Sequence, residues 1–416
     1  MVAGMTPATI TTDLENIDLS DHALWRESPP YEIFARLRAE RPMHFSPISQ
    51  FPEEAGFWSV VRHEDLRTIS LDWETFSSER GGIMLNDDMG VPLDLMRMQP
   101  IAQDPPRHDR MKALFQQAFT PRRIAAHAEA IRAIVSHAID GVAERGECDI
   151  VHDIGASVTA RVIGSLLGTP IEDDPRLVAW SNGVIGYEDP DYRPDFDDII
   201  KIIGEAFEYV LPMIAERREN PTDDLTTALA EAEVDGEKLT DEELVATFGL
   251  LMAAGNDSTR AVYGQSMLAL IEHPDQRQYL IDNPEKIEDA VEECLRCFPA
   301  FAYMRRTATR DVEMHGQMIK EGDKLALWYV SGNRDETVFD RPEEFDVTRP
   351  RVQHQAFGAG GRHFCLGAAL ARLELKTMIE ETLRRLPDME LAGDPVRAES
   401  LFLNQHKTIP VRFTPA

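Results

Sequence analysis

One helical pattern constrains this chain more than any other feature. It opens at Thr240-Asp-Glu-Glu243, the Ser/Thr-x-x-Glu spacing of a capping box, and runs through LVATFGLLMAAG to His273, where Pro274 stops it. More than 30 residues at 1.5 Å each give about 45–50 Å, enough to cross a large domain. Its first half is apolar on every side, so burial is expected. Helical signals dominate from about residue 107 to 390, and the strand signals are short and scattered. That combination predicts a large, mainly α fold with small β-sheets.

In the middle of this helix lies Ala253-Ala254-Gly255-Asn256-Asp257-Ser258-Thr259. A glycine in a helix interior costs ~1 kcal/mol, and Asn, Asp, Ser and Thr compete for its backbone hydrogen bonds. Two readings stand side by side. One is a kink whose hydroxyls bond the preceding turn. The other is a groove opened by small side chains, with an acid and hydroxyls that relay protons into a buried cavity.

Elsewhere, FWSVV (Phe57–Val61) reads as a core strand and HEDLRTISLD as a helix. Residues 80–106 form an irregular, Met-rich stretch that includes Met84, Leu85, Met89, Val91, Leu93, Leu95, Met96, Met98 and Ile101. It suits either a loop folded over a pocket or ordinary packing. EDPDYRPD (Glu188–Asp195) is a turn cluster, MHGQMIKEGDKLALWYV a hairpin and strand, and LFLNQHKTIPVRF a β-like tail.

The chain has 416 residues and a formal net charge of −30. Such an acidic excess opposes binding to nucleic acid phosphates and to anionic membrane surfaces. No run of about 18 apolar residues is visible, so no membrane span is expected, and the first twenty residues lack the charged and apolar regions of a signal peptide. The four cysteines, Cys148, Cys294, Cys297 and Cys365, make no disulfide framework and suit a reducing cytoplasm. Cys294 and Cys297 sit in a helical pattern with no second metal-binding pair, so they read as buried helix residues.

The sharpest local signal is Phe357-Gly-Ala-Gly-Gly-Arg-His363-Phe-Cys365-Leu-Gly367, which runs into an amphipathic helix carrying Leu366, Ala369, Leu370 and Leu373. Its glycines allow backbone amides to approach a partner closely, and a cysteine at a helix start is favoured as thiolate. A dinucleotide-binding loop would need a third glycine where His363 stands. A thiolate among backbone amides is instead what a haem-iron ligand requires.

This segment resembles the haem-binding loop of the cytochrome P-450 family, Phe-x-x-Gly-x-x-x-Cys-x-Gly, with one extra residue between Phe357 and Cys365. The resemblance extends along nearly the whole chain. Glu293-Cys-Leu-Arg296 is similar to the family's structural Glu-x-x-Arg. Ala254 and Gly255 match its oxygen groove, and Asp257-Ser258 its acid–alcohol pair, with Thr259 as a second candidate hydroxyl. His108, Lys112, Arg306 and His363 match residues that hold the haem propionates. Pro342-Glu-Glu-Phe345 lacks the arginine often found before that phenylalanine, so a third partner for Glu293 and Arg296 must come from elsewhere.

The resemblance implies one P-450 domain over residues 1–416, with haem b between the long helix and the cysteine helix. It also implies hydroxylation of an apolar substrate with O2, Cys365 as iron ligand, and Asp257, Ser258 and Thr259 as proton-delivery residues. Electrons would come from a ferredoxin and its NAD(P)H-dependent reductase. Arg107, Arg110, Lys112, Arg122 and Arg123, with Arg362 and Arg372, would form a basic docking patch. By position the pocket would draw on Met84, Leu85, Leu95, Met98, Leu250, Ala253, Phe301, Ala302, Phe402 and Leu403, which suit a terpenoid, steroid, fatty acyl or hydrocarbon. A peroxygenase or isomerase-type variant, or a haem sensor without catalysis, are the alternatives.

Overall fold

The computed structural model describes residues 14–49, 52–87, 92–116, 118–193, 195, 198–234 and 236–415. Met89 and Val91 of the Met-rich stretch, Pro194 of the turn cluster, and the first thirteen residues lie outside the described residues. The fold is helix-rich, 52% helical with small sheets, as the patterning predicts.

Five strands form the principal sheet: β1 (Met43–Ser46), β2 (Phe57–Val60), β3 (Phe76–Ser77), β4 (Tyr303–Ala308) and β5 (Lys324–Trp328). Their spatial order is β1-β2-β5-β4-β3; β2 and β5 run parallel and every other pair antiparallel. Successive side chains on a strand face opposite ways. Arg305 and Arg306, neighbours on β4, therefore serve different sides of the sheet. The expected hairpin is present as Val312–Met314 and Gln317–Ile319, and the tail pairs as Glu390–Leu391, Pro410–Arg412 and Glu147–Asp149. Trp328 stacks on Trp25 with ring centroids 5.1 Å apart, in an aromatic core that includes Phe34 and Tyr303.

The helices that position the site are α1 (Arg107–Gln116), α2 (Ser157–Leu167), α3 (Asp174–Ile185), α4 (Asp198–Glu219), α5 (Asp241–Glu272), α6 (Ile287–Cys297) and α7 (Ala368–Arg385). α5 is the long helix. The Thr240 hydroxyl accepts from the Glu243 amide at 3.3 Å, and the Glu243 carboxylate accepts from the Thr240 amide at 2.9 Å, completing the capping box. α5 continues unbroken through the polar island, for 32 residues, packed on α2, α3, α4 and α7. A Cβ at Gly255 would lie 2.8 Å from the Ile163 side chain of α2, so the glycine is what lets the two helices approach.

One helical segment, Ile150–Leu167, is long and apolar enough to meet the length and composition test for a membrane span, although His152, Asp153 and Arg161 interrupt its apolar run. It is 67% buried, with Val158, Val162 and Ile163 in the main helical core.

Candidate active site

α5, α7, the loop before α7, the start of α1 and one face of β4 enclose a predominantly apolar cavity of about 260 Å³. Cys365 opens onto it. Burial pushes the Cys365 thiol up, while the Gly367 amide at the sulfur and the nearby Lys112 and Arg372 charges work the other way. The loop is held by the Cys365 amide donating to the Phe357 carbonyl at 2.9 Å, and it turns through Gly358, Gly360 and Gly361, all at positive φ. The Phe357 ring lines the cavity and carries the Arg372 guanidinium 4.6 Å from its centroid. With one extra residue in the loop, the phenylalanine is still part of the cavity wall.

Four polar side chains gather beside the cysteine. The His108 and His363 rings lie 4.3 Å apart; His108 Nδ1 meets Asp109 at 3.0 Å and His363 Nε2 meets Ser78 Oγ at 3.2 Å. Burial holds His108 below the usual range and His363 well below it, the latter helped by Arg306, His108 and Lys112, so both rings are neutral near pH 7. Arg306 is buried and donates to the Arg305 carbonyl at 2.8 Å, with no carboxylate partner among the described residues. Lys112 donates to the carbonyls of Arg362 and Phe364 at 2.5 and 2.8 Å, tying α1 to the cysteine loop.

A buried guanidinium without an anion, two neutral imidazoles and a cavity-facing thiol are the donor set that a dianionic porphyrin side and a thiolate-ligated iron would satisfy. The residues fit haem.

Along α5, Ala254, Gly255, Ser258 and Thr259 line the cavity. Ser258 Oγ donates back to the Ala254 carbonyl at 2.7 Å. Asp257 points elsewhere. It is fully buried, accepts from Ser181 Oγ of α3 at 2.7 Å and pairs with Arg260, which in turn reaches Asn182 at 2.6 Å. Burial raises its carboxyl, with Arg260 and Ser181 opposing.

Of the expected pocket residues, Leu250 and Phe301 line the cavity. Met84, Leu85, Ala302 and Phe402 pack instead into the aromatic core, Ala253 into the helical core, and Leu403 pairs with Phe301 across an isolated bridge. Leu95 and Met98 are partly exposed and outside the lining. Ile83, Pro100 and Ile101 take their place, with Phe115, Thr247, Leu251 and Met304. The Met-rich stretch thus contributes a wall, but from different residues, because an irregular segment has no periodicity from which to read side-chain direction. Arg305, on the opposite face of β4 from the cavity, fixes this segment: its amide donates to the Ile83 carbonyl and its guanidinium reaches the Met84 carbonyl and Asp87.

Two functional positions were missed. Glu374 on α7 is buried in the cavity wall, its Oε2 has no hydrogen-bond partner among the described residues, and burial pushes its carboxyl well above the usual range. Its signal was an acid on the apolar side of an amphipathic helix. The other is Arg349. Glu293 and Arg296 form a buried bidentate pair at 2.7 and 2.8 Å, and Arg349 supplies the third member at 3.1 Å from Glu293. Cys294 and Cys297 are buried on α6, with both thiols pushed up to about 12 by burial, as inert core residues should be.

The model of the family described as cytochrome P450 matches residues 98–408. A methyl-branched lipid omega-hydroxylase of Mycobacterium tuberculosis is 36% identical over 389 residues, covering 92% of this chain and 90% of that protein. Linalool 8-monooxygenase of Pseudomonas putida is 34% identical, covering 97% and 100%. The structure of a Mycobacterium marinum cytochrome P450 in complex with pseudoionone superposes with a TM-score of 0.89 at 33% identity, covering 99% of this chain and all of that one. The chain belongs to the cytochrome P450 family. As such it is a haem monooxygenase that takes an apolar substrate, O2 and electrons from a redox partner.

Proposed function

We propose that this enzyme hydroxylates the end carbon of a methyl-branched, isoprenoid-like chain. The observation that carries the reading is the apolar cavity itself, in which Ile83, Ile101, Leu250, Leu251, Phe301 and Met304 face Cys365 and the small residues of α5. The relatives' names agree in chemistry: the omega position of a methyl-branched lipid and carbon 8 of linalool are both chain ends.

In this reading haem b, when bound, would supply reductive activation of O2, with the Cys365 thiolate holding its iron. Arg306, His108, His363 and Lys112 would hold its carboxylates by charge and hydrogen bonding. Ala254 and Gly255 leave room on the cavity face of α5. Ser258 and Thr259 pass protons at their hydroxyl oxygens, and Asp257, held by Ser181 and Arg260, serves them by turning from that pair towards the cavity. Glu293, Arg296 and Arg349 fix the framework. The donor is an acidic ferredoxin, served by an NAD(P)H-dependent reductase and met by the basic surface around Arg110 and Arg122. The four unpaired cysteines suit work in the cytoplasm.

The test supplies the haem-loaded protein with NADPH, ferredoxin, reductase and a panel of methyl-branched hydrocarbons and terpenoids. Terminal alcohols carrying oxygen from labelled O2 are expected, and Cys365→Ala should give none and lose the red-shifted Soret band of the reduced carbon monoxide complex. Oxidation confined to positions away from the chain end would overturn the regiochemistry.

A further inference from the structure

Hydroxyls on the buried helices of this protein normally satisfy themselves. Ser258, Ser266, Thr159 and Thr377 each donate to the carbonyl four residues back, at 2.7, 2.6, 3.1 and 2.8 Å. Thr247 does not. It is 0% exposed, its Oγ1 has no hydrogen-bond partner among the described residues, and it lines the cavity. A buried hydroxyl left unpaired is costly, and in a native protein it asks for an explanation.

Its position supplies one. Thr247, Leu250, Leu251, Ala254 and Ser258 form a single stripe down the cavity face of α5, at i, i+3, i+4, i+7 and i+11. Thr247 stands seven residues before Ala254, which places it roughly 10 Å along the helix axis from the small residues beside the cysteine end. Between them the stripe is leucine. A ligand lying along α5 would meet apolar wall and then one hydroxyl.

We propose that Thr247 selects the substrate: its hydroxyl hydrogen-bonds a hydroxyl or carbonyl oxygen carried by an otherwise apolar chain, roughly 10 Å from the carbon that is oxidised. This rests on the chain-end hydroxylation proposed above and adds a second requirement to it. Threonine both donates and accepts, so the ligand group is an alcohol or a ketone, and a plain hydrocarbon of the same shape leaves the hydroxyl unmet.

The experiment measures dissociation constants, by the absorbance shift of the haem-loaded protein, for a methyl-branched alkane and its ketone analogues. The ketones place their oxygen nearer than, at, and beyond the 10 Å spacing. One buried hydrogen bond predicts a preference for the matched ketone over the alkane of about three- to tenfold. The preference should peak at the matched spacing, persist in Thr247→Ser and collapse toward unity in Thr247→Val. Should the valine variant fold poorly by circular dichroism, the serine variant and the spacing series decide the matter. A preference that survives in Thr247→Val, or that ignores spacing, overturns the proposal and leaves Thr247 a packing residue only. If the alkane is hydroxylated at its branched end without any ketone preference, this inference fails and the function above stands. If neither ligand is oxidised at its end, the function itself fails.

Discussion

Glu374 and Glu293 are both buried carboxylates, yet they are handled in opposite ways. Glu293 is paired with both Arg296 and Arg349; removing both arginines would leave it unpaired in the interior, a change that costs about 3–5 kcal/mol. Glu374 Oε2 has no hydrogen-bond partner among the described residues, and burial pushes its carboxyl well above the usual range, which favours the protonated form. The folded chain therefore holds that proton more tightly than the unfolded chain, whose carboxyl has the ordinary value of 4.5. This contribution is complete below the unfolded value and fades as pH rises towards the folded one, by at most about 1.4 kcal/mol per pH unit. Glu374→Gln removes that loss. In denaturant unfolding of the holoprotein between pH 5 and 8, the glutamine variant should gain on the wild type as pH rises. A gap that is flat with pH would show that Glu374 is ionised in the fold. Neither Glu374 nor Arg349 was legible as a site residue: an acid on the apolar side of a helix and an arginine four positions past Phe345 gain meaning only when packing buries the first and brings the second to Glu293.

At the scale of elements, the cysteine loop was the most legible part of the chain because its constraints are local. Glycines, His363 and Cys365 lie within eleven residues, and each answers to a backbone or ligand requirement there. Gly361 shows how strict these are: at φ +77, a Cβ would sit 2.3 Å from the Ser70 carbonyl oxygen. Gly361→Ala should lower stability by about 1–3 kcal/mol and weaken haem retention, read as the Soret-to-protein absorbance ratio after dialysis. The unaltered ratio and melting temperature would contradict that. α5 was legible in its length, cap and burial, but not in the direction of its acid. Asp257 lies at the edge of the cavity-facing arc of α5, where Ser181 and Arg260 draw its carboxylate towards α3 while the Ser258 hydroxyl faces the cavity. The irregular stretch before α1 offered no such geometry, and there the expected pocket wall differed residue by residue.

For the molecule as a whole, charge is less free than composition suggests. Within the expected basic patch, Arg107 pairs with Glu243, Arg362 with Asp109 and Arg372 with Glu292. Arg122 stands exposed with no carboxylate partner among the described residues. On the ferredoxin reading proposed above, it is a position from which a steering field would act on an acidic donor. Arg122→Glu should slow reduction by ferredoxin severalfold at low ionic strength and flatten its salt dependence in stopped-flow measurements; an unchanged salt slope would place the donor on another face. The arrangement of β4 has a practical corollary. Because Arg305 grips the backbone of residues 83–87 while Arg306, one position on, faces the cavity, altering this enzyme's product range by transplanting a different 83–101 segment is a problem of alignment before it is one of pocket shape. A graft that offers Arg305 its acceptor carbonyls in register can be exchanged as a cassette. One that is offset by a single residue pulls on the strand that also carries Arg306, and would disturb cofactor retention before any new substrate was tried.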